Sequence, residues 1–409
     1  MIPTILLSMM VFLVVNIISI DLYSCFTLPK LMALRLFTLS IFLSWIFHYQ
    51  KGLLRPVNKW IIFFAGGFLC WMLTATTFSM ELFSALQGGY NVQQGLFTQM
   101  LYVMLFVMVA TLPIDKLMLS RAVVNAMVLL AVYAMLQYFD IDPYKFSLGG
   151  RPASFTGNPV PMAGAILLAL PFSIYLAVKG KGIGRVYWSM TIFLFCAVIA
   201  SCLSRGVMLG LIPVLIIMAA ILIKENKKEG RLVKGVVVVF FASIIIVTTM
   251  SLAIKHSKHG GGAQEQRYNV AELKEDYAVT ARLQYWGIAW EIIKEHPFFG
   301  VGTDSFRNAY PLYRTVELDK TDKHSLNSKA HNGYLQIAAT MGIPALIFYL
   351  GLVYMVIRTL WQSKGDRLLA MTFIAAIMGY MVQNISGWDE LGFTPIFWTI
   401  MGVGINETS

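Results

Sequence analysis

ARLQYWGIAWEIIKEHPFFGVG (281–302) and, after a polar interval, KAHNGYLQIAATMG (329–342) interrupt a chain that is otherwise almost entirely apolar. On both sides of the interruption the sequence runs in apolar blocks of about 20 residues, each long enough to cross a hydrocarbon core. Hydrophobic residues make up 57% of the 409-residue chain, charged residues only 13%, and mean hydropathy is +0.68. A soluble domain carries about a quarter charged residues, so this composition excludes one. The chain reads as an all-α polytopic membrane protein, and the long polar excursion inside it demands a purpose.

Twelve spans are expected, at 2–20, 31–48, 60–80, 97–112, 120–139, 161–178, 186–203, 206–223, 235–254, 332–357, 368–386 and 391–406. Three regions follow: spans one to nine over 1–254, a large external loop over 255–331, and spans ten to twelve over 332–409. The first block lacks a basic leader and a small-residue cleavage site, so it is expected to stay as a span.

Basic residues set the orientation. One set of connections carries Lys51, Arg55 and Lys59; Lys116 and Arg121; Lys179, Lys181 and Arg185; Lys224, Lys227, Lys228, Arg231 and Lys234; and Arg358, Lys364 and Arg367. The short connections of the other face hold only Lys30, Lys145, Arg151 and Arg205. Both termini are therefore expected in the cytoplasm and residues 255–331 outside. A net charge of +11 would suggest nucleic acid in a soluble domain. Here positive-inside loops and an anionic ligand or lipid account for it, with no nucleic-acid partner. Cys25, Cys70, Cys196 and Cys202 are scattered without a C-x-x-C pair, the pattern of packing residues and not of a metal site or disulfide framework.

The external face gathers the candidate chemistry. The 140–161 connection is rich in Gly, Pro and Asn, which predicts turns at the membrane surface, with Ser154 and Asn158 as possible polar contacts. Arg205 lies in the tight SCLSRG reversal between spans seven and eight, where an arginine near the membrane is costly without a functional partner. Within 281–295, Leu283, Trp286, Trp290 and Ile293 recur at helical spacing, predicting an amphipathic helix that can lie on the bilayer with Arg282 in its first turn. HPFFGVG supplies glycines for a turn and lacks the strand and lysine of a nucleotide-binding loop. His256 and His259 have metal-ligand spacing without supporting Cys or acids, and read as a solvated tract.

His331 opens the tenth span, at a helix start where free N–H groups would favour an anion. Arginine suits bidentate phosphate recognition, and histidine is the commonest base near neutral pH. Arg205, Arg282 and His331, with Arg151 as a further candidate, would together hold a diphosphate and deprotonate an attacking hydroxyl. Asp389 and Glu390 offer an accessory base, weighed against the stronger reading of a span-end cap or solvent-facing turn.

These motifs carry a resemblance. LSRG at a tight turn, R-x-x-x-W leading to HPFFGVG, and HNGYLQIAATMGIPAL resemble the O-antigen ligase and polymerase superfamily, and so does the layout of spans around one late loop. The resemblance implies a GT-C-type, inverting glycosyltransferase of the bacterial inner membrane that needs no metal or other cofactor. It implies a glycan donor on undecaprenyl diphosphate, used at the periplasmic face. The acceptor would be lipid A–core for a ligase or a second lipid-linked repeat unit for a polymerase. Carried over residue by residue, His331 becomes the base, and Arg205 and Arg282 the diphosphate ligands. One dominant external loop favours the ligase. A transporter of anionic lipid is the rival class, disfavoured by the absence of a counterpart to that loop in the first half of the chain. A non-catalytic scaffold is disfavoured by Arg205 and the organised loop.

Overall fold

The computed structural model describes residues 1–144, 151–229, 277–314 and 328–407. The expected ninth span, His256 and His259, Lys145 and most of 314–329 lie outside them. The helices in chain order are α1 (Ile2–Asn16), α2 (Thr27–Gln50), α3 (Lys59–Thr77), α4 (Leu82–Gln87), α5 (Leu96–Thr111), α6 (Lys116–Tyr138), α7 (Pro159–Lys179) and α8 (Gly182–Ser201). They continue with α9 (Arg205–Glu229), α10 (Tyr277–Glu295), α11 (Phe306–Ala309), α12 (Gly333–Met341), α13 (Ile343–Gln362), α14 (Arg367–Gln383) and α15 (Thr394–Gly404). Among the described residues no strand forms. Among the described residues seven helices are long and apolar enough to cross a membrane, α2, α3, α6, α7, α8, α9 and α13, and the shorter α1, α5, α14 and α15 are also apolar. A polytopic membrane protein is the architecture these helices build.

Side-chain and proline signals start the helices where the sequence places them. Asn58 caps α3 through Trp60 N–H, Asp115 caps α6 through Met118 N–H, and Asp366 caps α14 through Leu369 N–H. Helix α7 is the centre of the bundle, with 94% of its apolar window buried. It packs on α8, α14, α6 and α9. Around it α1 pairs with α6 and α2, α13 with α3, and α15 with α5. Lipid-facing side chains such as Leu36, Leu39, Leu43 and Phe47 on α2 remain exposed, as an outward face requires.

The tenth span is not one helix. Gly342, at φ +86°, separates α12 from α13. A Cβ there would sit 1.8 Å from the Phe298 carbonyl oxygen, and Ile343 N–H donates to the Pro297 carbonyl at 2.8 Å. The HPFFGVG turn wedges against this break: Val301 and Gly302 N–H groups donate to the carbonyls of Ala339 and Thr340 at 3.0 and 2.9 Å. Only α13 is long enough to span, and α12 stays at the end of the bundle with α10.

Helix α10 forms as expected, with an inner stripe distinct from most of the aromatic face that the sequence lays on the bilayer; Ile293, expected on that face, is buried instead. Ala281, Tyr285, Ile288, Ala289 and Ile292 pack inward against Val301, Phe306, Tyr310, Ala330 and Ala339 in a small second core. Leu283 and Trp290 are exposed. The inner face mixes sizes, Ala281 and Ala289 beside Tyr285, Ile288 and Ile292, and packs on α12.

Candidate active site

One end of the bundle collects every expected site residue. It is built from the turns between α3 and α5, α6 and α7, α8 and α9, and α14 and α15, together with α10 to α12. His331 has a left-handed backbone, φ +54°, which is strained for a side chain of this kind. Its ring lies between Tyr285, stacked at 5.5 Å, and Trp388, edge-on at 4.6 Å. Trp286 Nε1 approaches the His331 carbonyl at 3.4 Å. Nδ1 is sealed from solvent and finds no hydrogen-bond partner. Burial first, then the positive charges of Arg282 and Lys329, lower its pKa to about 4. The imidazole is therefore neutral at pH 7, with a lone pair available.

The expected anion site at the start of α12 does not exist. Asn332 caps that helix, its Oδ1 accepting from Tyr334 and Leu335 N–H at 3.0 and 3.1 Å. Gly333 N–H donates to the Asn384 carbonyl at 2.9 Å. The first three N–H groups of this helix are thus occupied within the protein.

Arg282 stands one turn before Tyr285 and Trp286 on α10, within electrostatic reach of His331. Arg205 opens α9 directly after the turn at Leu203, whose φ is +49°. Arg151 braces that turn, Nε donating to the Cys202 carbonyl at 2.7 Å. This contact places Arg151 against the turn that carries Arg205. Ser154 and Asn158 are likewise structural: Ser154 Oγ donates to the Leu130 carbonyl, and Asn158 caps α7 through Val160 N–H.

The segment QNISGWDE (383–390) joins the two halves of the site, and the sequence reading passed over most of it. A Cβ on Gly206, beside Arg205, would meet Ser386 Oγ at 2.1 Å, and one on Gly333 would meet Asn384 Nδ2 at 2.3 Å. Both helix starts therefore press on this one turn, which also presents Trp388 to His331. Alternating Gly contacts of this kind leave no periodic trace; the exposed-looking Trp between two spans was the available signal.

Of the span-end cap and the solvent-facing turn that the sequence favours for Asp389 and Glu390, the turn to solvent does not form and the place at the entry to α15 does. Asp389 accepts from Tyr380 Oη at 2.5 Å. Glu390 Oε2 is sealed from solvent without a partner, while its backbone carbonyl accepts from Phe393 and Thr394 N–H at the entry to α15. Burial raises both carboxyl pKa values, that of Glu390 to about 8 against the pull of Lys30 and Lys329, and that of Asp389 against the Tyr380 hydrogen bond and Lys329. Both carboxyl groups turn inward, toward Tyr380, Lys30 and Lys329. Among the described residues no group of three His, Cys, Asp or Glu assembles as a metal-holding set.

Residues 189–350 match the family model described as O-antigen ligase. The matched stretch contains Arg205, Arg282 and His331 and ends before Trp388, Asp389 and Glu390. No curated protein matches the chain.

Proposed function

From a chain that carries the O-antigen ligase family domain over 189–350, as a member of the O-antigen ligase and polymerase superfamily does, we propose a membrane glycosyltransferase that moves a glycan from undecaprenyl diphosphate to lipid A–core. The reaction takes place at the periplasmic face of the bacterial inner membrane, with both termini in the cytoplasm. The observation that carries the reading is a neutral His331 held between two aromatic rings, with Arg282 close enough to depress its basicity. A neutral base beside a cation is what transfer from a diphosphate leaving group requires.

The acceptor hydroxyl oxygen attacks the anomeric carbon of the donor sugar from the side opposite the diphosphate, so configuration inverts. The carbon–oxygen bond to the diphosphate breaks, and its electron pair leaves with undecaprenyl diphosphate. The hydroxyl proton passes to His331. With Nδ1 sealed from solvent, Nε2 is the nitrogen this reading assigns to that proton. Arg282 and Arg205 hold the diphosphate and stabilise the charge growing on it, each charge-assisted bond contributing about 1.5–3 kcal/mol. Arg151 acts one step back, by fixing the turn that carries Arg205. Two arginines can do the charge work without a metal or other cofactor, and membrane lipids are the remaining partners.

Trp388 and Tyr285 flank His331 on the acceptor side in this reading, where an aromatic face suits a sugar ring. One long excursion before α12 favours ligase over polymerase. Purified protein in nanodiscs, given undecaprenyl-diphosphate glycan with lipid A–core or with a second lipid-linked unit, tests the choice. Transfer to lipid A–core is expected; elongation of the lipid-linked unit alone would make the enzyme a polymerase, and no transfer to either would remove the activity.

A further inference from the structure

Lys329 stands two residues before His331 and is buried against Asp304, the side chains 7% and 2% exposed and Nζ 2.5 Å from Oδ1. Asp304 is fixed from a second direction: its Oδ2 accepts from Gly89 and Gln94 N–H at 3.0 and 3.2 Å, in the turn between α4 and α5. Its backbone is left-handed as well, φ +56°. One carboxylate thus ties together the 88–94 turn, the 300–305 turn and the loop that leads into His331. Lys329, Asp304 and Asp389 also line a cavity of about 20 Å³, room for one water.

Removing both charges from water costs several kcal/mol each, so a pair this dry adds little net stability. It supplies register instead, because only one placement of the 328–332 loop satisfies Lys329. Resting on the reading of His331 as the base, we propose that Lys329 and Asp304 are positioning residues for His331: their buried pair pins the loop to the 88–94 turn and so holds the ring between Tyr285 and Trp388. Without the pair, the left-handed backbone at His331 can relax and swing the ring out.

The lysine also acts through its charge. The charged and titratable groups shown to reach the ring are Arg282 and Tyr285 from α10 and Lys329 itself, while Asp389 and Glu390 follow Trp388 in the adjoining segment. Lys329 depresses the ring's basicity on one side and stabilises the charged forms of Asp389 and Glu390 on the other.

The test uses the full chain in nanodiscs and compares Lys329→Met, Lys329→Arg, Asp304→Asn, the double Asp304→Asn/Lys329→Met, and His331→Ala. Lys329→Met is expected to lower kcat about 10–100-fold, the scale of a 1 Å misplacement, with donor KM within about twofold. Lys329→Arg keeps the charge and is expected to stay within about tenfold of wild type. The double variant leaves no unpaired charge, so it is expected to melt near or above wild type while keeping the kcat deficit. If Lys329→Met does not fold, the double variant and Lys329→Arg carry the comparison. NMR of labelled histidine is expected to show the His331 pKa higher in the double variant, because a neighbouring cation is gone. Wild-type kcat in a folded double variant, or an unmoved ring pKa, would overturn the positioning role. Full transfer by His331→Ala would remove the base assignment and this role with it, whereas a dead His331→Ala beside a fully active double variant would remove this role alone.

Discussion

The two ends of this helical bundle handle charge in opposite ways. At the basic end, cations cap what the backbone leaves open. Arg55 donates to the Asn406 carbonyl and Oδ1 at 2.9 and 2.7 Å, Lys116 to the Gly404 carbonyl at 3.1 Å, Arg185 to the Gly180 carbonyl, and Arg367 to the Trp361 carbonyl. At the site end, charges face each other in a dry interior, and Glu390 Oε2 and His331 Nδ1 have no partner. Backbone strain divides the same way. All six non-glycine residues with positive φ among those described, Gln93, Asp140, Ser154, Leu203, Asp304 and His331, sit at the site end. One end is built for stability; the other accepts strain and unmet polar groups, the usual mark of a functional site.

Substitutions should therefore separate activity from stability by location. The largest effect short of removing the base is expected at the arginines. Arg282→Ala and Arg205→Ala should cut transfer about 10–100-fold, the loss of one charge-assisted bond, with lysine at either position restoring part of it. Equal activity in the alanine and lysine variants, measured as kcat/KM for the lipid-linked donor, would remove the diphosphate assignment.

The pH dependence comes next. A free-enzyme His331 pKa of about 4 places the acid limb of kcat/KM near pH 4. Bound diphosphate would offset Arg282, one of the charges that depresses the pKa, so the acid limb of kcat should lie at higher pH than that of kcat/KM. Coincident limbs, or a kcat/KM limb near the ordinary histidine value, would break the link between base and arginine.

Glu390 gives a smaller, thermodynamic signature. Its carboxyl binds a proton more tightly folded than unfolded, so its contribution to stability is complete below about pH 4.5 and is lost as pH rises through about 8. Melting temperature should fall across that window in the wild type, and Glu390→Gln should flatten the fall; an unchanged slope would mean that the carboxyl is solvated.

The smallest effect on transfer is expected at the basic end. Asn406 donates to the carbonyls of Val109, Ala110 and Leu112 while receiving Arg55. Asn406→Ala should cost about 1–3 kcal/mol of stability through those unmet groups and leave kcat within about twofold. A large kcat loss without destabilisation there would erase the contrast between the ends.

Much of this was legible in the sequence, for physical reasons. Apolar run length gave the helices, and Arg205, Arg282 and His331 stood out because charge is rare in such a chain. The break at Gly342 was not legible, since apolar residues continue on both sides and only the approach of the Phe298 carbonyl requires it. The inner stripe of α10 was not legible because Ala281 and Ala289 weigh little in an apolar pattern beside Trp286 and Trp290, which mark the face laid on the bilayer. Asn332 could have been read as a cap from its place before a helix, which would have removed the anion site at α12. The Lys329–Asp304 pair spans a polar stretch with no periodicity, so nothing in the sequence couples them.

Transfer in the proposed reaction depends on His331. Its most direct test is transfer by purified His331→Ala, with undecaprenyl-diphosphate glycan and lipid A–core, measured beside its melting temperature. A fall of about 10²–10⁴-fold in kcat, the contribution of a general base, with the variant still folded, is the expected result. Transfer at the wild-type rate by the folded variant would contradict it.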